Sequence, residues 1–225
     1  MSEPAIDAGL RARLASVSTW VFDLDNTLYS AESTLYDAIG ERMTRYIARA
    51  ASVDEAEALR LRELYFHEYG ATVVGLQRHH GVDARDFLAH VHDVDRDVIA
   101  PDAELNALIA RLPGRRIVFT NGGGGHAEAI LDRLGLAALF EPPFDIEGAA
   151  LTPKPQPRAY ALLIERFSFD PSDAVLIEDT LRNLEPAHAL GFLSVLIGPV
   201  HPAPLPPYVD HHAHDLRAFL REALG

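Results

Sequence analysis

Short apolar runs that end abruptly in polar residues, separated by stretches of helical spacing, constrain this chain more than any other feature. The segment from Val17 becomes β-like and closes on Trp20, Val21 and Phe22 just before Asp23. Arg116 to Thr120, Phe144 to Ile146, Ala174 to Ile177 and Ser194 to Ile197 repeat the pattern, each brief and rich in Val, Ile or Phe. Between the later runs lie helical segments, His126 to Leu134, Pro157 to Phe167 and Asn183 to Leu190, the last stopped by Gly191. Strand, helix, strand repetition predicts a parallel sheet covered on both faces. A short helical lead-in over residues 1–16 precedes it, and a strand near Tyr208 to His212 followed by a helix from Asp215 to Ala223 is expected to close it.

The rhythm fails between Ser30 and about Pro101, where consecutive helical segments run on without a strand. Leu35, Ile39, Met43 and Ile47 recur every fourth residue, and Leu59, Leu61, Leu64, Phe66 and Tyr69 mark a second helix of less regular period. A crossover between parallel strands takes roughly 30 residues, yet 94 residues separate Asp25 from Thr120. The excess predicts an inserted helical domain over residues 30–100, with residues 1–29 and 101–225 forming the α/β core. Ligands of open α/β sheets bind beyond the carboxyl ends of the strands, so an insertion placed directly after the first strand sits over that site as a lid. The expected fold is a Rossmann-like open parallel sheet carrying a helical cap.

Composition narrows the function classes. The chain has 225 residues, 48% of them apolar, enough for a buried core and incompatible with disorder as the main state. With 20 Lys and Arg against 33 Asp and Glu its formal charge is −13, and the cations are scattered, which argues against a nucleic acid polymer as partner. The absence of Cys excludes disulfides, a thiolate nucleophile and Cys-ligated metal centres. The opening stretch lacks a basic region followed by an apolar run, and no segment approaches the ~18 apolar residues of a membrane span. The expectation is a soluble, cytoplasmic protein with no membrane partner.

Asp23 and Asp25 stand two residues apart where the first strand ends, so their side chains point the same way. One carboxylate there can ligate a hard cation and attack phosphorus while the other protonates the leaving oxygen. The same Asp25-Asn26-Thr27 stretch also reads as an ordinary capped turn. What favours chemistry is the company it keeps. Thr120 and Asn121 end the second run, Lys154 stands in the loop TPKPQP, and Glu178 and Asp179 end the AVLI run. Acids, a hydroxyl, an amide and a cation thus converge on one sheet edge, the inventory that phosphoryl transfer needs.

In these four motifs, DLDNTLY, FTNG, KPQP and EDTLRN, the chain resembles the haloacid dehalogenase superfamily of aspartate-nucleophile phosphatases. The insertion, through Tyr69 to Leu76 (YGATVVGL), His92-Asp93 and TNGGGGHAEAILDRLG, is similar to the pyrimidine 5′-nucleotidase-like branch, although Thr180 stands where that branch commonly has Ser. The resemblance implies Asp23 as the nucleophile that forms an aspartyl-phosphate, and Asp25 as general acid and later general base. It implies Mg²⁺ held by Asp23, the main-chain carbonyl of Asp25 and Asp179, with Glu178 ordering a metal-bound water. Thr120 and the Asn121 amide bind the phosphoryl oxygens in this reading, and Lys154 offsets charge on Asp23 and the phosphate. Asp25 separates phosphatases from dehalogenases, which carry another residue there. The implied substrate is a small phosphorylated metabolite, a pyrimidine 5′-monophosphate first, with a sugar phosphate as alternative and a mutase as a less favoured use of the same motifs. A phospho-receiver domain or a non-catalytic binding protein would use similar residues. The DxD spacing and the long insertion argue against the first, and the full set of motif acids against the second.

Weaker features have two readings each. The run Gly122 to Gly125 offers main-chain N–H groups to phosphate, but no Gly-Lys-Ser/Thr follows, so it is not a P-loop and reads equally as a flexible entry to the next helix. His79-His80 and the group His211, His212 and His214 lack partner acids at ligand spacing and read as solvated or capping residues. His126 opens the helix after the phosphate loop; the resemblance puts it near the site, where it is a candidate substrate contact. Tyr69, Thr72 and Arg78 are candidates to recognise the leaving group, with core packing the preferred reading for Tyr69.

Overall fold

A computed structural model describes residues 6–29, 34–123, 125–199 and 204–225. The elements follow as α1 (Ala8–Ser16), β1 (Thr19–Phe22), α2 (Thr34–Ala51), α3 (Glu55–Tyr69), α4 (Thr72–His80), α5 (Ala84–Val91), α6 (Ala103–Arg111), β2 (Arg115–Val118), α7 (His126–Leu134), α8 (Pro157–Phe167), β3 (Ala174–Glu178), α9 (Leu181–Ala189), β4 (Leu193–Ile197), β5 (His211–Ala213) and α10 (Leu216–Leu224). The five strands form one parallel sheet in the order β2-β1-β3-β4-β5. This is the expected Rossmann-like α/β architecture.

The strands form because they are buried on both faces, as their unbroken apolar runs require. Every residue of β1, β3 and β4 is buried. One face packs Trp20, Phe22, Val175, Ile177 and Val195 against the helices of that side, and the other packs Val21, Leu176, Phe119, Tyr160 and Phe192. The chain passes from β1 to β2 on one side, then crosses back to β3 on the other, so β1 and β3 flank the switch point where such sheets bind ligands. Main-chain bonds continue past the strand ends: Asp23 N donates to Ile177 O at 2.9 Å and Phe119 N to Phe22 O at 2.8 Å. That extension holds the three motif-bearing strand ends in register.

Phe144 to Ile146, expected as a strand, makes only a single parallel bridge from Phe144 to Phe119. The reason is local: Asp145 Oδ1 accepts from Gly148 N at 2.8 Å and Asp145 O from Ala149 N at 3.0 Å, which turns the chain before a ladder can grow. The helical lead-in runs from Ala8, the first five residues of that expected segment lying outside the described ones, and the closing strand is His211–Ala213 where it was expected near Tyr208 to His212. Gly191, with φ of +103°, adopts the conformation that ends α9 as expected. The proline-rich loop from Pro199 to Pro207 falls partly outside the described residues, since 200–203 are not among them.

Helices α2 to α5 succeed one another between β1 and β2 without an intervening strand. Asp54 and Asp83 cap α3 and α5 with side-chain bonds to main-chain N–H groups at 2.9 to 3.0 Å, each worth about 1 kcal/mol. On α2 the stripe Leu35, Ile39 and Ile47 is buried as its period predicts. On α3 the buried face is Ala58, Leu61 and Tyr65, while Leu59 and Phe66 remain 41% and 38% exposed. The sequence pattern marked all five apolar residues of this helix as one set. Their spacing instead divides them, since Leu59, Arg62 and Phe66 form a second row beside the core-facing one. Helices α3 and α4 meet at Gly75, where a Cβ would lie 2.3 Å from Tyr65 Cγ. No helix among the described residues is long and apolar enough to cross a membrane.

Candidate active site

Lys154 is the hinge of the site. Only 1% exposed, its Nζ donates to Asp23 Oδ1 at 2.6 Å, Glu178 Oε2 at 2.8 Å and the Phe119 carbonyl at 2.8 Å. One ammonium thereby links the ends of β1, β2 and β3. Its loop is fixed by Asn121, whose Oδ1 accepts from Lys154 N at 2.8 Å and whose Nδ2 donates to Lys154 O at 3.0 Å. The Asn121 side chain, expected at the phosphate, is a strut for the lysine loop. Thr120 is buried beside it, its Oγ1 accepting from Gly122 N at 2.9 Å.

Asp23, Glu178 and Asp179 each bring a carboxylate oxygen to within 4.8 Å of the others. Asn26 Nδ2 donates to Asp179 Oδ2 at 3.2 Å and the Thr180 hydroxyl to Asp179 Oδ1 at 3.1 Å. Both oxygens of Glu178 are engaged, one by Lys154 and the other by Thr180 N at 3.0 Å. Burial, with repulsion from Glu178, pushes the Asp23 carboxyl up to about 7 against the pull of Lys154. Burial likewise pushes Glu178 up to about 7, Lys154 again opposing. Burial and Asp23 raise Asp179. For Lys154, burial works against the charge, yet Asp23 and Glu178 outweigh it and hold the ammonium above its ordinary value. The site is short of positive charge. Its donors are hard carboxylate oxygens, and such a set fits a divalent cation of the Mg²⁺ kind.

Asp25 behaves differently. Burial favours its neutral form, but hydrogen bonds and charge from His126, and the hydroxyl of Tyr29, hold it below the usual carboxylate range. Tyr29 Oη donates to Asp25 Oδ1 at 2.5 Å, and His126 Nε2 lies 3.0 Å from the same oxygen. His126 has no exposure and meets Asp25 through Nε2. Its ring stacks on His92, centroids 4.3 Å apart. Tyr29 was not singled out by sequence reasoning, although its position four residues after Asp25 in DLDNTLY was the available signal.

The insertion is seated by the same loops. Asn121 Nδ2 donates to Gly70 O at 3.4 Å, Gln156 Nε2 to Tyr69 O at 3.3 Å and Arg182 Nη2 to Phe66 O at 3.1 Å. These are carbonyls at the C-terminal end of α3, Phe66 O also accepting from Gly70 N at 3.1 Å as the helix closes. Gly70, with φ of +86°, packs where a Cβ would come within 2.7 Å of Lys154 O. Between α2 and α3 runs a groove of about 980 Å³, lined by Tyr36, Met43, Leu59, Arg62, Phe66 and Thr72 among others. Arg62 Nη1 braces it by donating to Gly40 O at 2.7 Å. Arg182 lies 4.2 Å over the Phe66 ring. Burial of the Tyr36 hydroxyl, with the field of Asp25, Asp179 and Asp23, raises its pKa.

Of the other candidates in the insertion, Thr72 is buried in the groove wall, its hydroxyl donating to Arg62 O at 3.1 Å. Tyr69 and Arg78 pack on one another, the guanidinium 5.6 Å over the ring, with the Tyr69 hydroxyl 2.7 Å from His79 Nε2. Tyr69 is half-buried against the core, as preferred from its spacing. His80 takes the Tyr65 hydroxyl at 2.8 Å. His211 packs by the Phe219 ring, and His212 Nε2 lies 3.0 Å from Gly198 O; among the described residues none of this group, His214 included, joins a metal-type cluster. Of the glycine run, Gly124 lies outside the described residues, and Gly125, at φ +75°, starts α7.

A family model for haloacid dehalogenase-like hydrolases matches residues 17–191. The chain is 30% identical over 132 residues to Phosphate metabolism protein 8 of Saccharomyces cerevisiae, a match that takes in 53% of this chain and 40% of that protein. Among solved structures, the HAD phosphatase of Thermococcus onnurineus superposes with a TM-score of 0.62 at 18% identity, covering 93% of this chain and 98% of that one. L-2-haloacid dehalogenase of Xanthobacter autotrophicus gives 0.59 at 17% identity, covering 93% and 99%. The HAD-hydrolase YfnB of Bacillus subtilis, solved bound to magnesium, gives 0.58 at 17% identity, covering 91% and 97%. At such identities these structures speak for the fold alone, which phosphatases and dehalogenases share. The family model spans the motif loops and the insertion between them, and on that match the chain is an enzyme of the haloacid dehalogenase-like hydrolase family.

Proposed function

We propose that this hydrolase is a Mg²⁺-dependent phosphomonoesterase that works through an aspartyl-phosphate on Asp23, with a nucleoside 5′-monophosphate, pyrimidine first, as substrate. The observation that carries the reading is the pair of unlike carboxylates at the end of β1. Asp23 is held against Lys154, and Asp25 is held by Tyr29 and His126. A dehalogenase needs only the first; the second serves a leaving group that must be protonated.

Asp23, the Asp25 main-chain carbonyl and Asp179 would hold the cation, and Glu178, its oxygens already engaged, would orient the surrounding water. When bound, Mg²⁺ neutralises phosphoryl charge and aligns the ester with the nucleophile. Lys154 keeps Asp23 ionised and aimed. The Thr120 hydroxyl and the Asn121 main-chain N–H donate to the phosphoryl oxygens. Asp23 attacks phosphorus, the ester P–O bond breaks, and Asp25 gives its proton to the departing oxygen. Asp25 then takes a proton from water as that water attacks the phosphoryl group on Asp23, which frees phosphate and restores both acids. Free Asp25 is ionised, but a phosphoryl dianion beside it raises its proton affinity and loads it for the first step.

The groove between α2 and α3 would take the organic part. Its size suits a nucleoside, Phe66 and Tyr36 offer ring faces, and the acidic rim of Asp37, Glu41, Glu55 and Glu63 disfavours a second phosphate. The name of the yeast relative, which speaks of phosphate metabolism, and the magnesium in the Bacillus structure agree with this reading. The test is phosphate release from nucleoside monophosphates and sugar phosphates, with Mg²⁺ or with EDTA, alongside 2-haloacids. Release that needs Mg²⁺ and Asp23 and peaks on UMP or CMP supports it. Preference for sugar phosphates keeps the chemistry and removes the substrate; halide release with no phosphate removes both.

A further inference from the structure

We infer that His126, backed by His92 and joined by Tyr29, is a positioning residue that fixes the Asp25 carboxylate with one oxygen anchored and the other presented to the phosphate loop. The inference rests on the phosphatase reading and adds to it a part that the motif residues do not supply.

Both donors converge on Oδ1 of Asp25, Tyr29 Oη at 2.5 Å and His126 Nε2 at 3.0 Å. Oδ2 faces the other way, toward Gly122, where a Cβ would stand 3.8 Å from it and 3.3 Å from Thr120 Oγ1. The carboxylate therefore divides its work. Two bonds to one oxygen set the side-chain torsions, and the free oxygen is left beside the loop that holds the phosphoryl group. General acid catalysis depends on that direction, because a proton carried on the wrong oxygen, or about 1 Å away, loses roughly 100-fold in rate.

The support is rigid. His126 has no exposure, and its Nδ1 has no partner among the described residues, so the imidazole commits its Nε2 proton to Asp25. Its ring lies on that of His92 with an interplanar angle of 14°. His92 follows α5, at the far end of the insertion, and its carbonyl accepts from Arg96 Nη2 at 2.6 Å. Arg133, two turns beyond His126 on α7, donates to Arg96 O at 3.2 Å and Ile99 O at 2.8 Å. One face of α7 thus grips both Asp25 and the segment that returns the chain from the insertion to the core. A Cβ at position 122 would sit among this set, 3.3 Å from Thr120 Oγ1 and 3.5 Å from His126 Cδ2, so the loop passes in van der Waals reach of the support.

The test is the leaving-group dependence of kcat/KM, which reports only the steps up to transfer onto Asp23. An alkyl phosphate releases an alkoxide that needs the proton of Asp25, whereas p-nitrophenyl phosphate releases a stable phenolate that does not. The variants are His126→Leu and Tyr29→Phe, with His126→Gln as the replacement that keeps both volume and a donor near the Nε2 position. Thermal unfolding confirms that each variant is folded. For His126→Leu, kcat/KM on the alkyl phosphate should fall about 100-fold, and at least about 10-fold further than on p-nitrophenyl phosphate. Tyr29→Phe should move the ratio in the same direction, and His126→Gln should recover most of it. Equal losses on both substrates, or no loss in a folded His126→Leu protein, would overturn the inference while leaving the phosphatase reading in place. Wild-type protein that hydrolyses neither ester, or an Asp23→Asn variant as active as wild type, would overturn the reading and the inference with it.

Discussion

Replacing Lys154 by Met keeps an unbranched chain one atom shorter and removes the ammonium that Asp23 and Glu178 share. In the native site that ammonium satisfies three acceptors at 2.6 to 2.8 Å with 1% exposure. Removing one member of a buried pair costs about 3–5 kcal/mol, because the remaining charge is neither hydrated nor paired. Here two carboxylates and a carbonyl are left facing one another. For a chain of this size 1 kcal/mol moves the melting temperature by about 2–4 °C, so the variant should melt some 6–20 °C lower in EDTA at pH 8.5. The loss should shrink at pH 5.5. Burial already pushes both acids up to about 7 in the folded protein, and without Lys154 to oppose burial they move higher still, so mild acid neutralises them. Circular dichroism melts of both proteins at the two pH values provide the assay. A variant that melts within about 2 °C of wild type at pH 8.5, or one more impaired at pH 5.5, would refute the view that Lys154 offsets buried negative charge.

The metal-free wild-type protein should itself lose stability as pH rises from about 4 to about 7, since carboxyls with raised folded values bind more protons folded than unfolded. Saturating Mg²⁺ should reverse that loss, with a 100-fold excess over Kd contributing about 2.7 kcal/mol, and thermal melts with and without EDTA across this range check it. Gly75→Ala should destabilise by about 1–3 kcal/mol, because its Cβ would overlap Tyr65 at 2.3 Å and the α3 and α4 axes must part; denaturant titration measures it. Phe66→Ala should raise KM for a nucleoside monophosphate by about 5- to 10-fold, the worth of roughly 1 kcal/mol of ring contact, while leaving KM for a small alkyl phosphate unchanged.

Much of this was legible in the chain because strand ends are legible. Asp23, Thr120 and Asp179 follow short apolar runs and Lys154 stands in the proline-framed loop TPKPQP, and the parallel order β2-β1-β3 brings those strand ends side by side. The 94-residue separation of Asp25 and Thr120 likewise announced the helices between β1 and β2. What stayed hidden were pairings made across sequence. The Asn121 side chain holds both main-chain groups of Lys154, 33 residues away, a pairing that the motif FTNG does not announce. The contact of His126 Nε2 with Asp25, 3.0 Å across 101 residues, has no mark in the sequence beyond the place of His126 after the phosphate loop. Leu59 and Phe66 read only as part of one irregular apolar set because apolar type gives no rotation about the helix; in the fold they line a groove beside α2. Phe144 to Ile146 failed as a strand because Asp145 can satisfy the main chain in a turn, a competition that apolar content does not reveal.

The central claim is that phosphate passes through Asp23. Protein acid-quenched during turnover of a nucleoside monophosphate with Mg²⁺, digested and mapped by mass, should carry a phosphoryl group on the peptide containing Asp23, and the Asp23→Asn protein should show neither the adduct nor turnover. Wild-type rates of phosphate release from the Asp23→Asn protein would contradict the account.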